Sequence, residues 1–116
     1  MNSIKDISPC FDKVTSVTDT KEFVQTFCLK ALKLLEEFKA AYRLAIENKK
    51  IDELDSITHK IASTMNWLEL DEFVTMTRAY KDFPSFDKKR YDELLEKVMH
   101  YSNMIENSIR SKLDDV

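Results

Sequence analysis

Leu54-Asp55-Ser56-Ile57-Thr58-His59-Lys60-Ile61-Ala62-Ser63-Thr64-Met65-Asn66-Trp67-Leu68 is the stretch whose reading decides the fold. Leu54, Ile57, Ile61, Met65 and Leu68 recur at alternating helical spacings and form one apolar stripe. Asp52, Asp55, Ser56, His59, Ala62, Ser63 and Asn66 fall on the opposite face. The spacing therefore predicts an amphipathic helix from which His59 points at solvent. Ala62 and Ser63, one turn further on, are short and leave the imidazole clear of its neighbours.

Outward from this helix the same period repeats. Asn48-Lys49-Lys50 precedes it as a short turn, with Asn48 suited to a left-handed cap and the lysines to the negative end of a helix dipole. Before that turn, Asp19-Thr20-Lys21-Glu22 reads as a capping box opening a long helix that runs to about residue 48. Phe23, Phe27, Ala31, Leu34, Phe38, Ala41 and Ala45 make its predicted seam, widened by Val24, Leu35 and Tyr42. At 1.5 Å per residue such a helix is roughly 43 Å long. The turn is too short for anything but antiparallel neighbours.

After the quoted stretch, Asp71 opens a helix using Phe73, Val74, Met76, Thr77 and Tyr80, and Phe83-Pro84-Ser85 ends it. Asp87 caps the last helix, Phe86 and Tyr91 occupy hydrophobic-staple positions, and Leu94, Val98, Tyr101, Ile105 and Ile109 form its seam. A short helix over residues 9–16, with Ser8 as N-cap and Pro9 at its first position, precedes them all. The expectation is an all-α fold: an antiparallel up-and-down four-helix bundle with a short extra N-terminal helix. Residues 1–8 and 112–116 are expected to be flexible.

The totals agree with one helical domain over residues 1–116. Glycine is absent and there are only 2 prolines, which removes the usual devices of β-turns. Charged residues make up 34% with a net charge of -3, so no basic patch for nucleic acid is expected. No uncharged stretch approaches the roughly 18 residues of a membrane span, and the first residues show no basic-then-apolar leader. A cytoplasmic protein that binds no membrane follows as the expectation. Cys10 and Cys28 lack CxxC spacing and read as buried thiols rather than a bridge or a metal site.

Few reactions suit a lone exposed histidine. A di-iron bundle needs Glu-x-x-His pairs, but Ser56 precedes His59 and Lys97 precedes His100 at that spacing. Neither histidine has further ligands at zinc spacing. A hydrolase would need a nucleophile elbow and an oxyanion hole, and a glycine-free helix face offers neither. Asp55, one turn before His59, could orient the ring, though such surface pairs are commonly weak contacts. Phosphoryl transfer fits better, because the metal and the acidic pocket can belong to the other protein. A neutral imidazole has a free ring nitrogen with which to attack.

Ile57-Thr58-His59-Lys60-Ile61-Ala62-Ser63-Thr64 resembles the Ala-His-x-Leu-Lys-Gly-Ser-type motif of histidine-containing phosphotransfer (HPt) domains, the relay modules of multistep two-component signalling. The resemblance extends through Val17-Thr18-Asp19-Thr20-Lys21-Glu22-Phe23, Leu34-Leu35-Glu36-Glu37-Phe38-Lys39-Ala40-Ala41 and Asn48-Lys49-Lys50-Ile51-Asp52-Glu53-Leu54, and on to Leu68-Glu69-Leu70 and Phe73. It implies that His59 is the phosphoacceptor. The family's usual lysine and glycine after the histidine are Ala62 and Ser63 here, Lys60 compensates in part for the missing charge, and Glu69 stands at a later turn glycine.

The resemblance further implies a phosphorelay intermediate without autonomous turnover and without a cofactor. Its partners would be response-regulator receiver domains and a hybrid histidine kinase, met one-to-one by a monomer. Asp55, Ser56, Lys60, Ala62, Ser63 and Asn66 would support docking. The rival is a non-catalytic helical-bundle adaptor that binds a receiver or another partner without being phosphorylated. His100, beside Glu93, Glu96 and Asn103, reads as a surface residue, as do lysines 30, 33, 39 and 49. Trp67 and Phe83 are expected to cap the core, and Met65, Met76, Met99 and Met104 to fill it.

Overall fold

Residues 8–17, 20–83 and 85–115 are described by the computed structural model. Thr18, Asp19 of the capping box, Pro84, Val116 and residues 1–7 of the expected flexible start, 1–8, lie outside them. The described chain is all-helical: α1 (Asp12–Val17), α2 (Lys21–Glu47), α3 (Glu53–Trp67), α4 (Asp71–Thr77), a 3-10 turn (Ala79–Asp82) and α5 (Lys88–Asp115). The molecule measures 47 × 32 × 20 Å, its long axis set by α2 and α5. α2 packs most extensively on α5, then on α3, and α3 packs on α4.

α2 begins where Thr20 Oγ1 accepts the Phe23 amide at 3.3 Å. Its buried stripe is Val24, Cys28, Ala31, Leu35, Phe38, Tyr42 and Ala45. Relative to the expected seam this is a rotation: Phe23, Phe27, Leu34 and Ala41 are half-buried flanks. Two seams at the same alternating spacing lie side by side on this helix. Contact with both α3 and α5 centres burial on the one that runs through Cys28 and Tyr42. Each fully buried side chain of Leu or Tyr size removes enough apolar surface to favour folding by roughly 2 kcal/mol.

α2 and α3 end in the same way. Lys50 N–H donates to Ala45 O (2.8 Å) and Lys49 N–H to Ile46 O (3.1 Å). Leu70 N–H donates to Met65 O and Glu69 N–H to Asn66 O, both at 3.0 Å. These are Schellman motifs, whose C′ residue must be left-handed. With no glycine available, Lys49 (φ 58) and Glu69 (φ 57) take that conformation. Asn48, expected there, is at φ −96 instead, because the two hydrogen bonds place the left-handed residue one position later.

α4 is shorter than its apolar pattern. Thr77 Oγ1 donates back to Val74 O at 2.7 Å, and the chain tightens into the 3-10 turn that buries Tyr80. Phe83 is extended (φ −80, ψ 128), as a residue before proline must be. α5 starts on Asp87, whose Oδ1 accepts the amides of Lys89 (3.1 Å) and Arg90 (3.4 Å), while Phe86 stacks on Tyr91 at 5.0 Å. The full expected seam of α5 is buried. The helix continues to Asp115 where fraying was expected: Leu113 packs on the core, and Lys112 Nζ lies 5.5 Å from the Phe11 ring centroid.

Two further side chains and one helix boundary depart from expectation. Trp67 is 43% exposed rather than a core cap, because the residue that turns inward at this helix end is Leu68. Lys39 is no solvated lysine: its Nζ lies 2.7 Å from Oε1 of buried Glu106. α1 is Asp12–Val17 rather than 9–16, since the Cys10 amide is drawn to Leu68 O at 2.8 Å. No helix among the described residues is long and apolar enough to cross a membrane.

Candidate functional site

His59 lies near the middle of α3, exposed, on the face opposite Leu54, Ile61 and Met65. The burial of those three fixes the rotation of the helix. Asp55, Ser56, Lys60, Ser63 and Asn66 are exposed with His59, and Ala62 is half-buried. Thr58, adjacent to His59, is buried and donates to Asp55 O at 3.2 Å.

The expected docking residues do not share one concavity. His59 lines a depression of about 450 Å³ with Asp55, Ser56, Thr58, Arg78 and Lys81. Lys60 faces another groove, about 420 Å³, between α2 and α3, where Leu34, Phe38, Ala41, Ile57 and Ile61 supply apolar walls. Asn66 lines a third hollow with Lys13, Ser16 and Trp67. Ser56 borders the first two and so joins them.

Asp55 is engaged away from the imidazole. Its Oδ1 accepts a hydrogen bond from the Tyr80 hydroxyl, and Lys81 Nζ lies 3.7 Å from the same oxygen. Tyr80's hydrogen bond, followed by the charges of Lys81 and Arg78, holds the Asp55 carboxyl below its usual value. Burial, with the bond to Asp55, pushes the Tyr80 hydroxyl up to about 12. Asp55 therefore anchors the 3-10 turn to α3 rather than orienting His59.

Arg78 and Lys81 were missed in the sequence. Their signal lay in the short turn at Leu68-Glu69-Leu70: equal steps back and forward from Glu69 reach His59 and Ala79, between the two cations. Elsewhere, His100 lies exposed beside Glu93, Glu96 and Lys97. Cys28 is buried, which pushes its thiol up, while Cys10 is half-buried. Cys10, Asp12 and Glu69 each offer one ligand-type atom within 4.8 Å of the others, a grouping that their sequence separation hides.

No protein-family model matches the chain, and neither a curated protein nor a solved structure matches it. The site must be read from its own chemistry. A nitrogen nucleophile stands at the rim of an open depression that carries two cations and one already engaged carboxylate. Such an arrangement can accept an electrophile borne by another molecule, and it favours one that is anionic.

Proposed function

We propose that this chain is a histidine phosphotransfer protein of a multistep two-component phosphorelay. It accepts a phosphoryl group from a receiver-domain aspartate on His59 and passes it to another receiver. In this reading the helices form an antiparallel up-and-down four-helix bundle with a short extra N-terminal helix, one HPt-like domain acting as a cytoplasmic monomer. The observation that carries the reading is the exposed His59 imidazole beside Arg78 and Lys81.

The chemistry asks little of this chain. The lone pair of a ring nitrogen attacks phosphorus in line, the N–P bond forms, and the P–O bond to the aspartyl carboxylate breaks. The carboxylate departs with the electron pair, and the proton on the other ring nitrogen exchanges with water. Return transfer reverses these steps on a second receiver. The divalent cation and the acidic pocket are contributed by the receivers, so the chain is a phosphoryl carrier and not a self-sufficient enzyme.

Replacement His59→Gln tests the proposal. It preserves the helical circular dichroism and abolishes acid-labile label acquired from a phosphorylated cognate receiver. Normal labelling of that variant overturns the assignment. The adaptor reading is favoured by the α2–α3 groove, whose apolar walls suit a partner whether or not phosphate moves. Receiver binding that survives His59→Gln, with no label reaching the unaltered chain, selects it.

A further inference from the structure

The phosphoryl-binding charge expected on α3 is missing at Ala62, and Lys60 faces the groove toward α2 rather than the hollow beside His59. Two cations from elsewhere in the chain occupy that hollow. We propose that Arg78 and Lys81, delivered by the end of α4 and the 3-10 turn, bind the phosphoryl oxygens during transfer to His59, and that Lys81 leaves Asp55 for the phosphoryl group as they do so. The proposal rests on the relay reading for its reaction but on the depression itself for its site.

Three observations support the site. Arg78 is half-buried and forms no ion pair among the described residues. Lys81 is paired with Asp55 only at 3.7 Å, with both side chains more than half exposed, a contact that a multiply charged group can replace. Asp55 keeps the Tyr80 hydroxyl when Lys81 departs, so its carboxylate is not left without a partner. The depression, about 450 Å³ and open to solvent, is large enough to admit a tetrahedral oxyanion together with the donor's carboxylate. A guanidinium and an ammonium together also suit it: the first binds two oxygens in a fork and the second acts as a mobile point charge.

The test uses the full chain and four variants. Arg78→Gln/Lys81→Gln removes both charges and keeps polar side chains, Lys81→Gln alone touches only an exposed residue, Arg78→Lys/Lys81→Arg restores charge, and Lys30→Gln, at an exposed position of α2, is the control. Labelling rate from a phosphorylated receiver is measured for each, and inorganic phosphate is titrated while the His59 ring signals are followed by NMR. The double Gln variant is expected to label about 100-fold more slowly and to lose the phosphate-dependent ring shift. Lys81→Gln should be intermediate, the charge-restoring pair should recover most of the rate, and Lys30→Gln should be near normal.

Equal ring shifts in the unaltered chain and in Lys81→Gln overturn the role of Lys81, and equal shifts in a folded double variant overturn the site. A Lys30→Gln loss as large as the double variant's does so as well. If no receiver labels the unaltered chain, the relay reading fails by itself. The phosphate titration then still decides whether the two cations form an oxyanion site.

Discussion

The Tyr80 hydroxyl donates to Oδ1 of Asp55, tying the 3-10 turn to the helix that carries His59, one turn before the histidine. Through this bond the placement of Arg78 and Lys81 depends on α3 and not only on α4. Tyr80→Phe removes it with little change in shape. The Asp55 carboxyl, now held below its ordinary value mainly by that hydroxyl, should titrate closer to that value in the variant. A carboxyl depressed in the folded state stabilises the fold above its unfolded value, and the gain is lost as pH falls through the folded value. The stability gap between unaltered chain and variant should therefore be constant near neutrality and shrink below about pH 4. Carboxyl-carbon NMR titration checks the shift, and an unmoved Asp55 contradicts it.

Tyr42 is the buried counterpart. Its hydroxyl donates to Thr77 O at 2.8 Å, where α4 gives way to the 3-10 turn. Tyr42→Phe leaves that carbonyl unpaired and should cost about 1–2 kcal/mol at neutral pH, measured by urea unfolding. Burial raises the Tyr42 hydroxyl above its usual value. A group raised in this way contributes stability below its unfolded value, near about 10, and loses it as pH climbs further. The penalty of the Phe variant should thus diminish above about pH 10. A gap that stays constant there would show the hydroxyl to be solvated.

Lys39 and Glu106 join α2 to α5 at 2.7 Å, with Asn103 Oδ1 a further acceptor 2.9 Å from the ammonium. The Glu106 side chain is only 4% exposed, so losing Lys39 strands a carboxylate. Lys39→Met should destabilise the fold by about 3 kcal/mol, and Lys39→Met/Glu106→Gln should recover much of that. Thermal melts of the two variants give the comparison. Equal melting temperatures for Lys39→Met and the unaltered chain would mean that water reaches Glu106.

Glu69→Gly and Lys49→Gly place the one residue without a Cβ penalty at the left-handed positions of the two Schellman motifs. Each should stabilise the fold by about 0.5–1 kcal/mol, since relief of native strain exceeds the extra freedom given to the unfolded chain. Denaturant midpoints measure this. A lowered midpoint would show that the side chains of Glu69 and Lys49 contribute more than their backbones cost.

Much of the architecture was legible because helical periodicity is local. The α5 seam, the Asp87 cap with its Phe86–Tyr91 stack, and the exposure of His59 all follow from spacings of a few residues. What escaped depends on neighbours far along the chain. Whether α2 buries Phe27 or Cys28 is decided by where α3 and α5 press on it, and both seams satisfy the same period. Lys39 reads as a surface lysine until Glu106 is brought to it. At the candidate site, the exposed imidazole on α3 was legible, but Arg78 and Lys81 come to its side only through the α3–α4 pairing, which no window around His59 contains.

A chain that spends no glycine, even at Lys49 and Glu69, has a denatured ensemble with fewer backbone states than one of the same length carrying the usual share. Part of what favours the folded helices is therefore located in the disordered chain, in conformations it never samples. Contacts drawn from the folded structure alone will understate how firmly α3 is held.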